Sequence, residues 1–147
     1  MYERILVPLD GSETAETILP VAEKVAGPLD AEVILLHVIA DAQGEFVFPT
    51  RVQAEEYLGS LAERLVDKGI RVRTGIRFGS GSVPAAILAA AGALDADLIA
   101  MATRGRTGLK RLLFGSVAEV VLRDAEVPVL MIRTAVEAAT PTGQATS

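Results

Sequence analysis

Cysteine is absent from the 147-residue chain. That removes a disulfide framework, a thiolate zinc site and a thiol nucleophile, and it makes the cytoplasm the expected compartment. Histidine occurs once, at position 37 inside an apolar run, so neither a His-based metal cluster nor a Ser-His-Asp triad can be assembled. An isolated strand histidine is read as satisfying a neighbouring polar group. Long hydrophobic runs are missing as well. Met1-Tyr2-Glu3-Arg4 leads into a short apolar stretch broken at Pro8, which reads as neither a signal peptide nor a membrane-spanning helix, and no membrane partner is expected. Basic residues are outnumbered, 14 Lys and Arg against 19 Asp and Glu, for a net charge of -5. A nucleic-acid binder working through a broad basic surface is therefore not expected, and any anion must be held locally. The phosphate-loop pattern G-x-x-x-x-G-K-[ST] is absent, and no G-x-G-x-x-G follows the first apolar run, so two common nucleotide-binding fingerprints are excluded.

Half of the residues are hydrophobic and 22% are charged, enough apolar surface to offset chain entropy in one domain with a single core. Residues 4–9 form a compact run of branched side chains followed by the turn chemistry of Asp10-Gly11-Ser12, which predicts a buried strand. Ile18, Leu19, Val21, Ala22 and Val25 recur at helical spacing over residues 14–25, with Ser12 or Thr14 as N-cap, Gly27-Pro28 as the stop and Pro20 as a kink. A second apolar run at 32–39 and a polar loop at 41–44 precede a helical pattern over 50–68, which Gly69 ends. Residues 70–76 alternate apolar and polar, as a strand with one wet face or an edge position does. After Gly79-Ser80-Gly81-Ser82 comes an alanine-rich helix at 83–93, with Ser82 as its N-cap, and then a fourth strand at 97–102. A basic loop at 103–111, a helix from about Ser116 to Asp124 and a last strand at 127–132 complete the domain. Residues 1–133 are read as that domain and 134–147 as an Ala- and Thr-rich tail.

Five strands with helices between them predict a doubly wound, Rossmann-like α/β fold. It is a five-stranded parallel sheet with helices on both faces, because crossovers between parallel strands are right-handed, in the order 3-2-1-4-5 expected of this sheet type. Ligands in such sheets sit outside the carboxyl ends of the strands, where strand order reverses. That directs attention to the turns after strands one, two and four. The loop after strand four holds Arg104, Arg106, Lys110 and Arg111, and without those four the chain has 10 basic residues against 19 acidic. Positive charge is thus concentrated where the fold expects a ligand. Gly105, Gly108 and the pair Gly115-Ser116 at a helix start would let backbone N–H groups approach a phosphate. Ser116 with Glu119 also fits a capping box, which explains the serine without a ligand. Asp10 is open in the same way: it can accept hydrogen bonds from a ribose or close an Asx turn.

The span from Ile5 to Ile132 resembles the universal stress protein family. The residues that carry the likeness are Ile-Leu-Val-Pro-Leu-Asp-Gly-Ser at 5–12, Leu-Leu-His-Val-Ile at 35–39, Gly-Ser-Val-Ala-Glu at 115–119 and Val127-Pro128-Val129-Leu130. The nucleotide-binding branch of that family has G-x-x-G, nine residues, then G-[ST]. Gly105 and Gly115-Ser116 hold the second and third elements with residues 106–114 between them, and Ala102 stands at the first glycine position. By resemblance, Pro8, Leu9 and Asp10 would lie beside the nucleoside, with Asp10 near the ribose hydroxyls, and Val38 would face the adenine. Met101 and Ala102 would approach the ribose, and Gly105, Gly115, Ser116 and Val117 would surround the phosphates. Pro8 and Val38 read equally as core residues. An alanine methyl at 102 that faced the nucleotide would crowd it.

The resemblance implies an ATP-binding sensor or regulatory module of the stress response, with ATP, accompanied by magnesium or manganese, as the ligand. A fast enzyme is not expected, since no paired carboxylates or phosphate-loop lysine are visible; slow ATP hydrolysis is the most the residues suggest. The alternative is a nucleotide-free dimeric interaction protein of the same fold. An ATP-pyrophosphatase is disfavoured because Asp10-Gly11-Ser12-Glu13 stands where its Ser-Gly-Gly loop would be. Val127-Pro128-Val129-Leu130-Met131-Ile132 is apolar on both faces yet belongs at a sheet edge, which predicts a homodimer through that strand, with a tail folded over the edge as the competing explanation.

Overall fold

Short runs of branched apolar residues, each too brief for a helix and free of internal glycine, become strands buried on both faces. In the computed structural model, which describes residues 2–40, 50–79, 82–104 and 112–134 (the side chains of 40, 104 and 112–116 apart), these are β1 (Arg4–Pro8), β2 (Glu32–Ala40) and β4 (Leu98–Arg104). With β3 (Arg71–Gly79) and β5 (Val129–Thr134) they form one parallel sheet of order β3-β2-β1-β4-β5. The expected fold class and strand order are both found.

Alternation along the strands divides the core into two layers. Ile5, Val7, Val33, Leu35 and Ala100 face α1 (Glu13–Glu16), α2 (Ile18–Leu29) and α3 (Arg51–Val66), meeting Ile18, Ala22, Leu58 and Leu65. Leu6, Ile34, Leu36, Ile99 and Met101 face the other way, toward Ile87, Ala90 and Val121 of α4 (Val83–Ala93) and α5 (Leu112–Asp124). Burying a Leu, Ile or Val side chain contributes roughly 1.5–3 kcal/mol each, so these layers supply the main favourable term. Among the described residues no helix is long and apolar enough to cross a membrane.

Several boundaries differ from the sequence reading, each for a local reason. The first helical stretch is two helices joined at Thr17, which is C-cap of α1 and N-cap of α2. Pro20 thus falls in the first turn of α2, where the missing N–H has no intrahelical partner to lose. Gly27-Pro28 does not stop α2. The helix runs on to Leu29, and Asp30 supplies the left-handed C-cap at φ 56°, with its N–H bonded to the Gly27 carbonyl at 3.1 Å. The last strand starts at Val129 rather than 127 and includes Thr134. Helix α5 opens at Leu112, so Ser116 is its fifth residue and not its N-cap. Leu112-Leu113-Phe114 are acceptable helix residues that extend the helix toward the loop. Ser12, Thr50 and Ser82 cap α1, α3 and α4 through their side chains.

The amino end of the sheet is tied by Asp97. Its carboxylate accepts the N–H of Glu3 at 2.9 Å and of Arg4 at 3.0 Å, joining the start of β1 to the approach of β4. Burial pushes its pKa up, but the backbone donors outweigh burial and hold it below the ordinary aspartate value. A depressed folded-state pKa gives stability that is present above the unfolded value and lost as pH falls through the folded one. Thermal unfolding should therefore show a contribution from Asp97 that is intact at pH 6 and declines below about pH 4. In Asp97→Asn the melting temperature should be lower at pH 6 and the difference from wild type should shrink by pH 3. A gap that stays constant with pH would contradict this assignment.

Candidate functional site

The switch of strand order lies between β1, which pairs with β2 on one side, and β4 on the other. β1 is matched to β2 from Arg4↔Glu32 to Pro8↔Leu36, but to β4 only at Ile5↔Leu98 and Leu6↔Ile99. Pro8 has no N–H to continue a ladder. The next residue is bound entirely to the β2 side: the Leu9 N–H donates to the Leu36 carbonyl at 2.8 Å, and the Leu9 carbonyl accepts from Nδ1 of His37 at 2.8 Å. His37 is buried at 5% exposure, so the lone histidine has the structural role its setting suggested. Meanwhile β4 continues beside β5 from Ile99↔Val129 to Arg104↔Thr134. Beyond Leu6↔Ile99 the β1–β4 register stops, and this switch of strand order is where the fold class places the opening that takes a ligand.

Asp10 stands at the lip of that opening, exposed, with Oδ1 accepting the Ser12 N–H at 2.9 Å. The Asx turn is therefore present, and it uses one of the roughly four lone-pair positions of a carboxylate. Capacity for a ribose hydroxyl is left over. Gly11 follows at φ +93°, a conformation that glycine adopts without strain, and Ser12 then caps α1 by accepting the Ala15 N–H at 3.1 Å.

The remaining expected site residues divide by burial. Pro8, Leu9 and Met101 are buried, so an incoming molecule could meet their backbones only. Ala102 is half-buried, and its methyl packs with the α1–α3 layer. Val38 is half-buried in the opposite layer, at the carboxyl end of β2. Its position explains a glycine that the sequence presented only as turn material. A Cβ on Gly79 would lie 2.9 Å from Val38 Cγ1 and 3.3 Å from the Ser82 carbonyl, so the valine keeps its place because position 79 has no side chain. Gly115 and Ser116 are helical backbone in the first two turns of α5, and Val117 follows, half-buried. Gly115 is the fourth residue of α5, directly after the helix-start residues whose N–H groups have no intrahelical acceptor. Gly105 lies outside the described residues, as do Arg106, Lys110 and Arg111. Among the described residues no group of three or more His, Cys, Asp or Glu is arranged to hold a metal ion.

Two surface hollows lie away from the carboxyl ends of the strands. One, of about 250 Å³, runs between α1, α2 and α3 past Glu13, Thr17, Arg64 and Lys68, and the Lys68 ammonium there is bound to Glu23 at 3.2 Å. The other, of about 380 Å³, lies at the amino ends of β1–β3, where Arg73 pairs with Glu32 at 2.8 Å and Arg71 with Asp30 at 3.6 Å. Lys68, Arg71 and Arg73 there are already paired with carboxylates, and neither hollow is lined by residues at the carboxyl ends of β1 and β4.

Residues 1–133 match the model of the universal stress protein family. The chain is 33% identical over 144 residues to universal stress protein MJ0531 of Methanocaldococcus jannaschii, covering 90% of this chain and 83% of that one. The solved structure of hypothetical protein MJ0577 superposes with a TM-score of 0.77 at 33% identity, over 91% of this chain and 97% of that chain. The universal stress protein of Archaeoglobus fulgidus solved in complex with dAMP shares the fold at 24% identity and a TM-score of 0.69, over 89% of this chain and 98% of that one.

Proposed function

The chain belongs to the universal stress protein family, and from that premise we propose that it binds ATP or a close adenine nucleotide between the carboxyl ends of β1 and β4, as a sensor or regulatory module of the stress response. The observation that carries this reading is the parting of β1 from β4 after Leu6↔Ile99, at the switch point of the sheet. The motif spacing supports it: nine residues separate Gly105 from Gly115-Ser116 at the start of α5. Unpaired amides and the positive end of the helix dipole favour an anion there. In this reading Asp10 accepts from the ribose hydroxyls, Val38 packs on the adenine, and Pro8, Leu9, Met101 and Ala102 line the nucleoside with backbone. Gly105, Gly115, Ser116 and Val117 surround the phosphates, with magnesium or manganese accompanying them.

Calorimetric titration with ATP, ADP, AMP and dAMP, each with and without magnesium, tests the proposal. Saturation with ATP at one hundred times its dissociation constant should add about 2.7 kcal/mol to stability, visible as a raised melting temperature. No heat and no thermal shift at millimolar ligand would refute the reading in favour of a nucleotide-free interaction protein.

Ala102, in the place of the first motif glycine, bears on the same site. Because its methyl packs toward the α1–α3 layer, Ala102→Gly should leave ATP affinity within about threefold and cost roughly 0.5–1 kcal/mol of stability through added backbone freedom. Tighter binding in the glycine variant would mean that the methyl crowds the nucleotide after all.

A further inference from the structure

The turn that carries Asp10 is short of intrinsic support. It leads into α1, a helix of four residues, far below the length at which a helix persists unaided. Its internal ties are the Asx bond at Ser12 and the Ser12 cap. A third tie comes from across the layer. Tyr57 of α3 packs half-buried against the core, and its hydroxyl donates to Glu16 Oε2 at 2.6 Å, a short, charge-assisted bond to the last residue of α1. The Gly11 backbone N–H faces the same phenol oxygen, and the Asp10 charge lies near enough to act on it. The side chain therefore binds the last residue of α1 and acts on the turn that precedes that helix.

We propose that Tyr57 is a positioning residue that holds the Asp10-Gly11-Ser12 turn at the mouth of the opening, so that the Asp10 carboxylate meets the ribose of the bound nucleotide. The inference rests on the nucleotide reading above and adds to it a residue that touches no ligand. Burial first, and Glu16 second, push the phenol pKa well above its ordinary value, so the hydroxyl stays a donor wherever the protein is folded.

Tyr57→Phe removes the hydroxyl and keeps the ring in its packed place, and the wild type and variant are compared in two ways. Amide hydrogen exchange at Gly11 and Ser12 should quicken by about tenfold in the variant, the worth of one hydrogen bond to a charged group; unchanged exchange would overturn the proposal whether or not a nucleotide binds. Titration should show ATP affinity lowered by roughly tenfold, with 2′,3′-dideoxy-ATP, which has no ribose hydroxyls, bound within twofold of wild type. Equal losses for the two ligands, or no loss for either, would overturn the positioning role while leaving nucleotide binding intact. A wild-type chain that binds neither ligand would bring down the nucleotide reading and this role with it. Glu16→Gln, which still accepts the phenol hydrogen, should retain more of the ATP affinity than Tyr57→Phe; a larger loss than in the phenylalanine variant would contradict the role given to the hydroxyl.

Discussion

Gly115→Val should bind ATP at least a hundredfold more weakly than wild type, about 2.7 kcal/mol, with no loss of fold. Position 115 closes the first turn of α5, directly after the residues whose N–H groups have no acceptor within the helix. A phosphate bound at such a helix start is held by amides at close range, and glycine alone leaves the approach clear of any side chain. Valine puts a branched side chain on that backbone. The substitution does not penalise the helix, because valine is a better helix former than glycine by a few tenths of a kcal/mol. Weak binding in this variant would therefore report on the site and not on unfolding. Calorimetric titration alongside a melting curve separates the two. Wild-type affinity in Gly115→Val would show that the start of α5 does not receive the phosphates.

The second large effect concerns assembly. The full chain should be a dimer at micromolar concentration by light scattering, and Met131→Lys should raise the dimer dissociation constant at least a hundredfold. β5 is an edge strand, and its residues from Val129 to Ile132 are half-buried on both faces within a single chain. Leu130 and Ile132 reach one core layer and Val129 and Met131 the other, so each face of the edge remains incompletely covered. The opposite edge is built differently. On β3, Arg71, Arg73 and Thr74 are exposed, and the arginines pair with Asp30 and Glu32, the kind of charged border that discourages strand pairing. Of the two edges among the described residues β5 is the more apolar along its length, and two-fold pairing of β5 with its copy would satisfy both its backbone and its side chains. A lysine near the centre of the strand would face its own copy across that axis, adding like-charge repulsion to lost apolar contact. A chain truncated after Thr134 should remain dimeric. A monomeric full chain would refute the pairing, and dimerisation lost only on truncation would assign the contact to the tail.

The strands were legible because a strand buried on both faces reads as an unbroken apolar run, and the order is the one expected of this sheet type. The ends of elements were less so, since burial competes with local stop signals. Gly27-Pro28 signals a helix end, yet α2 carries on past Ala26, which is 1% exposed in the core, until Asp30 can turn the chain. Ser116 offered a cap, but the apolar residues before it extend α5 by a turn. Asp10 was readable as the turn residue after β1, and Gly115-Ser116 as a pair near a helix start. Tyr57 was not: its contact with Glu16 spans 41 positions, and nothing in the local pattern of α3 sets it apart. Gly79 read as a turn residue, whereas its absent side chain makes room for Val38. Both contacts are made between elements, which sequence periodicity does not encode.

The location of the nucleotide is tested most directly by following backbone amide resonances of the full chain as ATP is added with magnesium. Shifts should concentrate at residues 9–12, 38–40 and 101–104 and at the start of α5 near Gly115, Ser116 and Val117, while the arginine-lined amino ends of β1–β3 stay unchanged. Spectra that do not move at millimolar ATP, or shifts gathered around Arg71 and Arg73 instead, would contradict a nucleotide site between β1 and β4.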